Sequence, residues 1–173
     1  MIRSTTLRLG VALLVLISTV GCDQATKHFA RIQLRHSGPV NLAGGSVQLA
    51  LSENPGGFLS LGGDLPESVR LGILMGGVGL GLTLLFIYLL RATELRWLGF
   101  IGLALIWAGG VSNLVDRFMR HGLVTDFIFV QFGPIHTGVF NVADMAIVTG
   151  ALLLLAMAGL LHQRRLIGKR DPL

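Results

Sequence analysis

The segment that decides the fold is NLVDRFMRHGLVTDFIFVQFGPIHTGVFNVADM, Asn113 to Met145, which holds Asp116, Asp126 and Asp144 among the chain's nine acidic residues. It joins two strongly apolar runs. The one before it, Trp97 to Val115, has 19 residues without a charge, and the one after it continues to Leu161. Runs of about 20 mostly apolar residues read as membrane-spanning helices. Asp144 stands at the mouth of the second run. A charge within a span costs about 2.5–3.5 kcal/mol on insertion scales and marks a functional site by default. Asp126 and Asp144 therefore read as a paired-carboxylate site at a membrane surface.

Composition agrees with this setting. The chain has 173 residues, 52% hydrophobic and 13% charged, with mean hydropathy +0.72. Soluble domains carry about 25% charged residues, so the class is membrane protein. A formal charge of +5 and a pI near 10.7 raise the question of a nucleic-acid partner. No basic patch interleaved with aromatics supports one, and none is expected. The densest basic run, His162 to Arg170, reads as a cytoplasmic anchor. A single cysteine, Cys22, rules out an intrachain disulfide. The five histidines are scattered, with no metal-ligand spacing, so neither metal nor cofactor is expected.

Working outward, Leu71 to Leu90 is a further uncharged run, of 20 residues, and its pairs Gly72/Gly76 and Gly77/Gly81 predict close helix packing. Asp64-Leu65-Pro66-Glu67 predicts its start, with Asp64 as N-cap and Glu67 at the third helical position. At the amino end, Leu9 to Cys22 is uncharged for only 14 residues, a signal-peptide length. Extended from Arg8 to Lys27, the helix measures about 30 Å and spans the membrane if Arg8 snorkels. The expectation is a retained first span, although Val20-Gly21-Cys22 also resembles the end of a lipoprotein cleavage box.

The fold class is thus an all-α membrane protein, a single domain over 1–173: a four-helix transmembrane bundle with a small β-rich extracytoplasmic cradle. The spans are placed at about 8–27, 68–90, 97–116 and 139–161, and the outer loops at 28–67 and 117–138. In the first loop, Val40 and Leu42, then Val47, Leu49 and Leu51, alternate about Gly44-Gly45 and predict a β-hairpin. Glu53-Asn54-Pro55-Gly56-Gly57-Phe58 follows as a turn-rich loop whose backbone suits close approach to a ligand. Phe127 to Phe132 and the hairpin would together form the cradle.

Four spans put both termini on one side. Eight Lys and Arg fall there against six on the other, which favours cytoplasmic termini. Asp23, Lys27, Asn54, Asn113, Arg117, Asp126, Asn141 and Asp144 then collect at the opposite rim, whereas polar residues serving only to glue helices would lie mid-span. Two close aspartates cannot both ionise comfortably, so one keeps a proton. The ionised one takes a proton from water while the other hydrogen-bonds a carbonyl. Asn113 and Asn141 either orient the carboxylates or donate to a developing oxyanion. Arg117 either pairs with Asp116 or meets an anionic group. Asp23 and Lys27, at i, i+4 spacing, either form a surface pair or shape the site.

Asn113-x-x-Asp116-Arg117, Gly122-x-Val124-x-Asp126-Phe127 and Phe140-Asn141-x-Ala143-Asp144, in this order between two spans, resemble the lipoprotein signal peptidases (signal peptidase II). Asp23-x-x-x-Lys27 and Asn54-x-Gly56 are similar to theirs too, and the resemblance covers nearly the whole chain. It implies an aspartic endopeptidase of the bacterial inner membrane, with its active site at the outer face. Such enzymes cleave prolipoproteins just before a diacylglyceryl-modified cysteine. By motif position Asp126 and Asp144 are the catalytic pair, while Asp23, Lys27, Asn54, Gly56, Asn113, Arg117 and Asn141 shape the site or bind substrate. The expected partners are diacylglyceryl-modified prolipoproteins and membrane lipids, and the expected state is a monomer. Two departures, Ser112 in place of a frequent glycine and the Pro55-Gly56-Gly57-Phe58-Leu59 loop, leave the aspartates untouched.

Three other readings are open on sequence alone. Lys27 with Ser18, Ser52 or Ser60 would make a Ser–Lys hydrolase. A non-catalytic paralogue would bind lipopeptide or lipid without cleaving it. Cys22 would make the chain itself a lipoprotein.

Overall fold

The structure is a computed structural model that describes residues 4–57 and 61–167, with side chains as far as Leu160. In chain order it runs through helix α1 (Thr5–Ser37), strands β1 (Val40–Leu42) and β2 (Val47–Asn54), and helix α2 (Glu67–Leu71). A π-helical stretch, Gly72–Gly77, leads into α3 (Val78–Arg91) and α4 (Trp97–Met119), then strands β3 (Val124–Phe132) and β4 (Ile135–His136), and last α5 (Val142–Ile167). Among the described residues, four helical segments are long and apolar enough to cross a membrane: Thr5–Ser37, Glu67–Arg91, Trp97–Met119 and Val142–Leu160.

Helix α1 runs ten residues beyond the expected end at Lys27. The extension is amphipathic: Ala30 and Leu34, four apart, are buried against Phe127, with Val40, Leu49, Leu51, Ile128 and Val142 packed around them. Charged residues at 31 and 35 hid this stripe. The β-hairpin about Gly44-Gly45 forms as expected, Val40 pairing with Leu49 and Leu42 with Val47. Strand β2 then pairs antiparallel with β3, and β3 with β4, giving one sheet in the order β1-β2-β3-β4. The sheet packs on the α1 extension at one end of the bundle.

Arg8 does not snorkel. Fully buried, it donates to the carbonyls of Leu89, at 2.9 Å, and Ala92, and lies 5.6 Å from the Phe100 ring centre. The last carbonyls of a helix have no partner within it, so an arginine there satisfies them. Beside it the apolar core gathers Ala12, Leu89, Phe100, Ala104 and Trp107, with Phe86 stacked on Trp107 at 4.6 Å.

Two expectations for the second span are corrected. A side chain at Gly72, Gly76, Gly77 or Gly81 would meet nothing within 4 Å, so these glycines make no close approach. The tight packing is between α4 and α5. There, a methyl on Gly102 would reach the Gly150 carbonyl at 2.9 Å, and one on Gly109 the Ala143 carbonyl at 2.5 Å. Asp64 is not an N-cap either. Pro66 occupies that position without a side-chain bond; an Asp64 cap would need Leu65 as the first helical residue, and the residue before a proline resists the helical conformation.

Candidate active site

Strand β3 and the start of α5 are tied together by Phe140. Its carbonyl accepts from the Phe127 and Ile128 amides at 3.0 and 2.9 Å, and its own amide donates to Ile128 at 2.9 Å. The bridge holds the chain extended through Phe140, so α5 begins at Val142 rather than 139, and it sets Asn141 beside Asp126. The Asn141 side chain donates to Asp126 at 2.6 Å, and its Oδ1 accepts from the Asp144 amide at 2.9 Å. Asp144 Oδ2 accepts the Asn141 amide in return at 3.2 Å. This reciprocal pattern is a capping box, in which Asn141 is the N-cap and Asp144 lies three residues into the start of α5, not the N-cap itself.

Each carboxylate has a second asparagine. Asn54, at the end of β2, donates to Asp126 at 2.8 Å, and Asn113, on α4, donates to Asp144 at 2.9 Å. Asn141 also donates to Asn113 Oδ1 at 3.2 Å. The path from Asp126 through Asn141 and Asn113 to Asp144 is therefore continuous, and all four residues are buried. Both Asn141 side-chain N–H groups and one of Asn113's are used in it, the arrangement expected of residues that orient the carboxylates.

Beneath this pair lies a second layer. Lys27 is fully buried, with Nζ 2.7 Å from Asp23, 3.0 Å from Asp116 and 3.1 Å from Asn113 Oδ1. Its three N–H donors are thus all used. Asp23 accepts in addition from Ser112 Oγ at 2.7 Å and from the Ala143 amide at 2.9 Å, joining α1 to α4 and to the first turn of α5. The Asp23–Lys27 pair is buried, not a surface pair. Among the described residues none of the partners of Lys27 is a serine. Ser18 instead bonds the Leu14 carbonyl, and Ser60 lies outside the described residues.

Arg117 does not pair with Asp116, whose oxygens go to Lys27, to Gln24 at 2.9 Å and to the Thr125 amide at 3.1 Å. Its guanidinium donates to the carbonyls of Gly56, at 2.6 Å, and Asn113, and its buried Nε has no partner among the described residues. Asn54 fastens the same loop, accepting the Gly56 amide at 2.9 Å and donating to the Gly57 carbonyl at 3.1 Å. All nine expected site residues thus meet at one end of the bundle. Sequence reasoning missed Gln24, Arg31 and Thr125, Arg31 donating to the Thr125 hydroxyl at 3.1 Å. Residues 23, 24, 27 and 31 form one polar stripe along α1, and that stripe was the available signal.

Asp126, on β3, has its pKa raised to about 6. Burial is the main cause. The Asn54 hydrogen bond opposes it and the charge of Asp144 adds to it.

Against known proteins, the model of the family described as signal peptidase (SPase) II matches residues 14–160. The chain belongs to the signal peptidase II family. Signal peptidase II membership makes it a multi-pass membrane peptidase, in keeping with its four apolar helices. It is 38% identical over 143 residues to the lipoprotein signal peptidase of Desulforapulum autotrophicum, covering 81% of this chain and 87% of that one. The lipoprotein signal peptidase of Mycolicibacterium smegmatis is 33% identical over 170 residues, covering 95% and 68%. A solved bacterial membrane enzyme shares the fold with a TM-score of 0.75, at 20% identity over 86% of this chain and 92% of that one.

Proposed function

We propose that this signal peptidase II is an aspartic endopeptidase that cleaves the signal peptide of bacterial prolipoproteins before the diacylglyceryl-modified cysteine. One observation carries the reading: Asp126 and Asp144 are buried side by side with a shared pair of asparagines, Asn113 and Asn141. Ionised Asp126 takes a proton from water, whose oxygen attacks the scissile carbonyl. Asp144 carries the proton that bonds the carbonyl oxygen and later passes to the leaving amine. Arg117, whose Nε has no partner among the described residues, supplies a donor for the substrate backbone.

Asp126 is taken as the base because it lies on β3 outside the spans, and burial raises its pKa to about 6, near the operating pH at which a base works best. Below about pH 6 it is protonated and cannot accept from water. We expect kcat/KM to rise as pH increases through about 6, measured with the purified enzyme from pH 4.5 upward; a flat profile over that range contradicts the assignment.

The site faces the outer side of the bacterial inner membrane, with the termini in the cytoplasm. The sheet forms the extracytoplasmic cradle, and the enzyme works as a monomer. Lipid tails confine the substrate to the bilayer, so the scissile bond arrives at the rim already oriented. The test is incubation of the purified protein with a diacylglyceryl-modified precursor. Mass spectrometry is expected to find a new amino terminus at the modified cysteine. Binding without cleavage would return the reading to a non-catalytic lipopeptide binder. An amino terminus at Cys22 in the protein itself would support the lipoprotein reading, at the loss of the core residue Ala12 and of Arg8.

A further inference from the structure

Past Lys27, the end of α1 borders a recess of about 350 Å³ lined by His28, Arg31, Ile32, Arg35, His36 and Arg120, with Arg31 at its edge continuing the polar stripe. The volume lies in the range of small-ligand sites, about 300–1,000 Å³. Its charge is largely unbalanced. Arg120 meets Glu53 at 2.6 Å, yet among the described residues its buried Nε has no partner. Among the described residues, neither Arg31 nor Arg35 has a carboxylate within ion-pair distance, and the partner of Arg31 is the neutral Thr125 hydroxyl. Arginine presents a planar fork of donors that matches the oxygens of a phosphate group.

The surroundings narrow the ligand. The recess lies just past the apolar lengths of α1 and α4, where an interfacial headgroup would sit. Large apolar residues are exposed beside it: Phe29 (65%) and Ile32 (54%) on α1, Phe118 (68%) and Met119 (75%) at the end of α4. Cationic groups next to exposed apolar side chains at a membrane rim suit an amphiphile better than an acidic peptide or a free ion. We propose that this recess binds the phosphodiester headgroup of an anionic phospholipid, whose acyl chains lie against Phe29 and Ile32. The inference needs the chain to span a membrane but does not depend on the catalytic reading.

The test uses the full-length protein in detergent, offered equal amounts of phosphatidylglycerol and phosphatidylcholine and examined by native mass spectrometry. The wild type is expected to retain phosphatidylglycerol preferentially. Arg35→Gln, at an exposed position, is expected to lower that retention about fivefold, the effect of one basic residue near an anionic surface. Arg31→Lys keeps the charge but not the fork and loses less. Cleavage of a precursor in lipid-free detergent stays unchanged in Arg35→Gln, so failure of this site and failure of the peptidase reading are separable. Equal retention of the two lipids, or a preference that survives in Arg35→Gln, would overturn the proposal. So would displacement of the lipid by equimolar inorganic phosphate or by a polyglutamate peptide.

Discussion

Asp126→Asn and Asp144→Asn are each expected to lower kcat/KM for a diacylglyceryl-modified precursor by about 10³-fold or more, while the protein still accumulates in the membrane. General acid–base groups contribute about 10²–10⁴-fold each, and a step that needs both loses its route when either is gone. The amide keeps the shape of the carboxylate but cannot take or hold the proton. Its stability cost is bounded. Asp126 accepts from two asparagine side chains, and an amide there satisfies one and turns an N–H toward the other, a mismatch of about 1–3 kcal/mol. Removing a buried charge offsets part of that. Single-turnover cleavage, followed by mass with a melting curve beside it, separates lost chemistry from lost fold. Substantial cleavage by either variant would remove that aspartate from the mechanism.

The largest effect on stability is expected from Lys27→Met. Among the described residues Lys27 is the sole cation bonded to Asp23 and Asp116, and every one of its donors is used. Without it two buried carboxylates face each other uncompensated, and breaking buried pairs costs about 3–5 kcal/mol. At about 2–4 °C per kcal/mol for a chain of this size, Tm should fall by about 6–20 °C. Adding Asp116→Asn to Lys27→Met removes one of the stranded charges and should restore part of the loss. A Lys27→Met melting curve within a degree or two of wild type would mean that the layer under the aspartates does not hold the helices together.

Much of this arrangement was legible in the sequence because the membrane simplifies the code. Uncharged runs such as Leu71 to Leu90 have one reading at that length, and polar residues at their ends then stand out. Asp144, Asn113 and Asn141 were visible for that reason, whereas Asp126, inside the outer loop, stood out through the ordered motifs. What escaped notice depends on direction rather than composition. The α1 extension was hidden because Ala30 and Leu34 are a narrow apolar stripe among Arg31, Arg35 and His36. The glycines that bring helices together are Gly102, Gly109 and Gly150, not the spaced pairs in the second span, because spacing does not say which face meets a neighbour. Arg117 and Asp116 are adjacent in sequence, yet point to different partners, as neighbours on a helix do. The capping role of Asn141 depended on the Phe140 bridge, a contact between residues far apart in the local pattern.

The claim on which the mechanism rests is that residues 126 and 144 work as one unit. The direct measurement is kcat/KM for wild type, the two single Asp→Asn variants and the double variant on one precursor. Groups that act together are strongly non-additive, so the double variant should fall within about tenfold of the weaker single. Losses that multiply across the two positions would show independent roles and contradict the account.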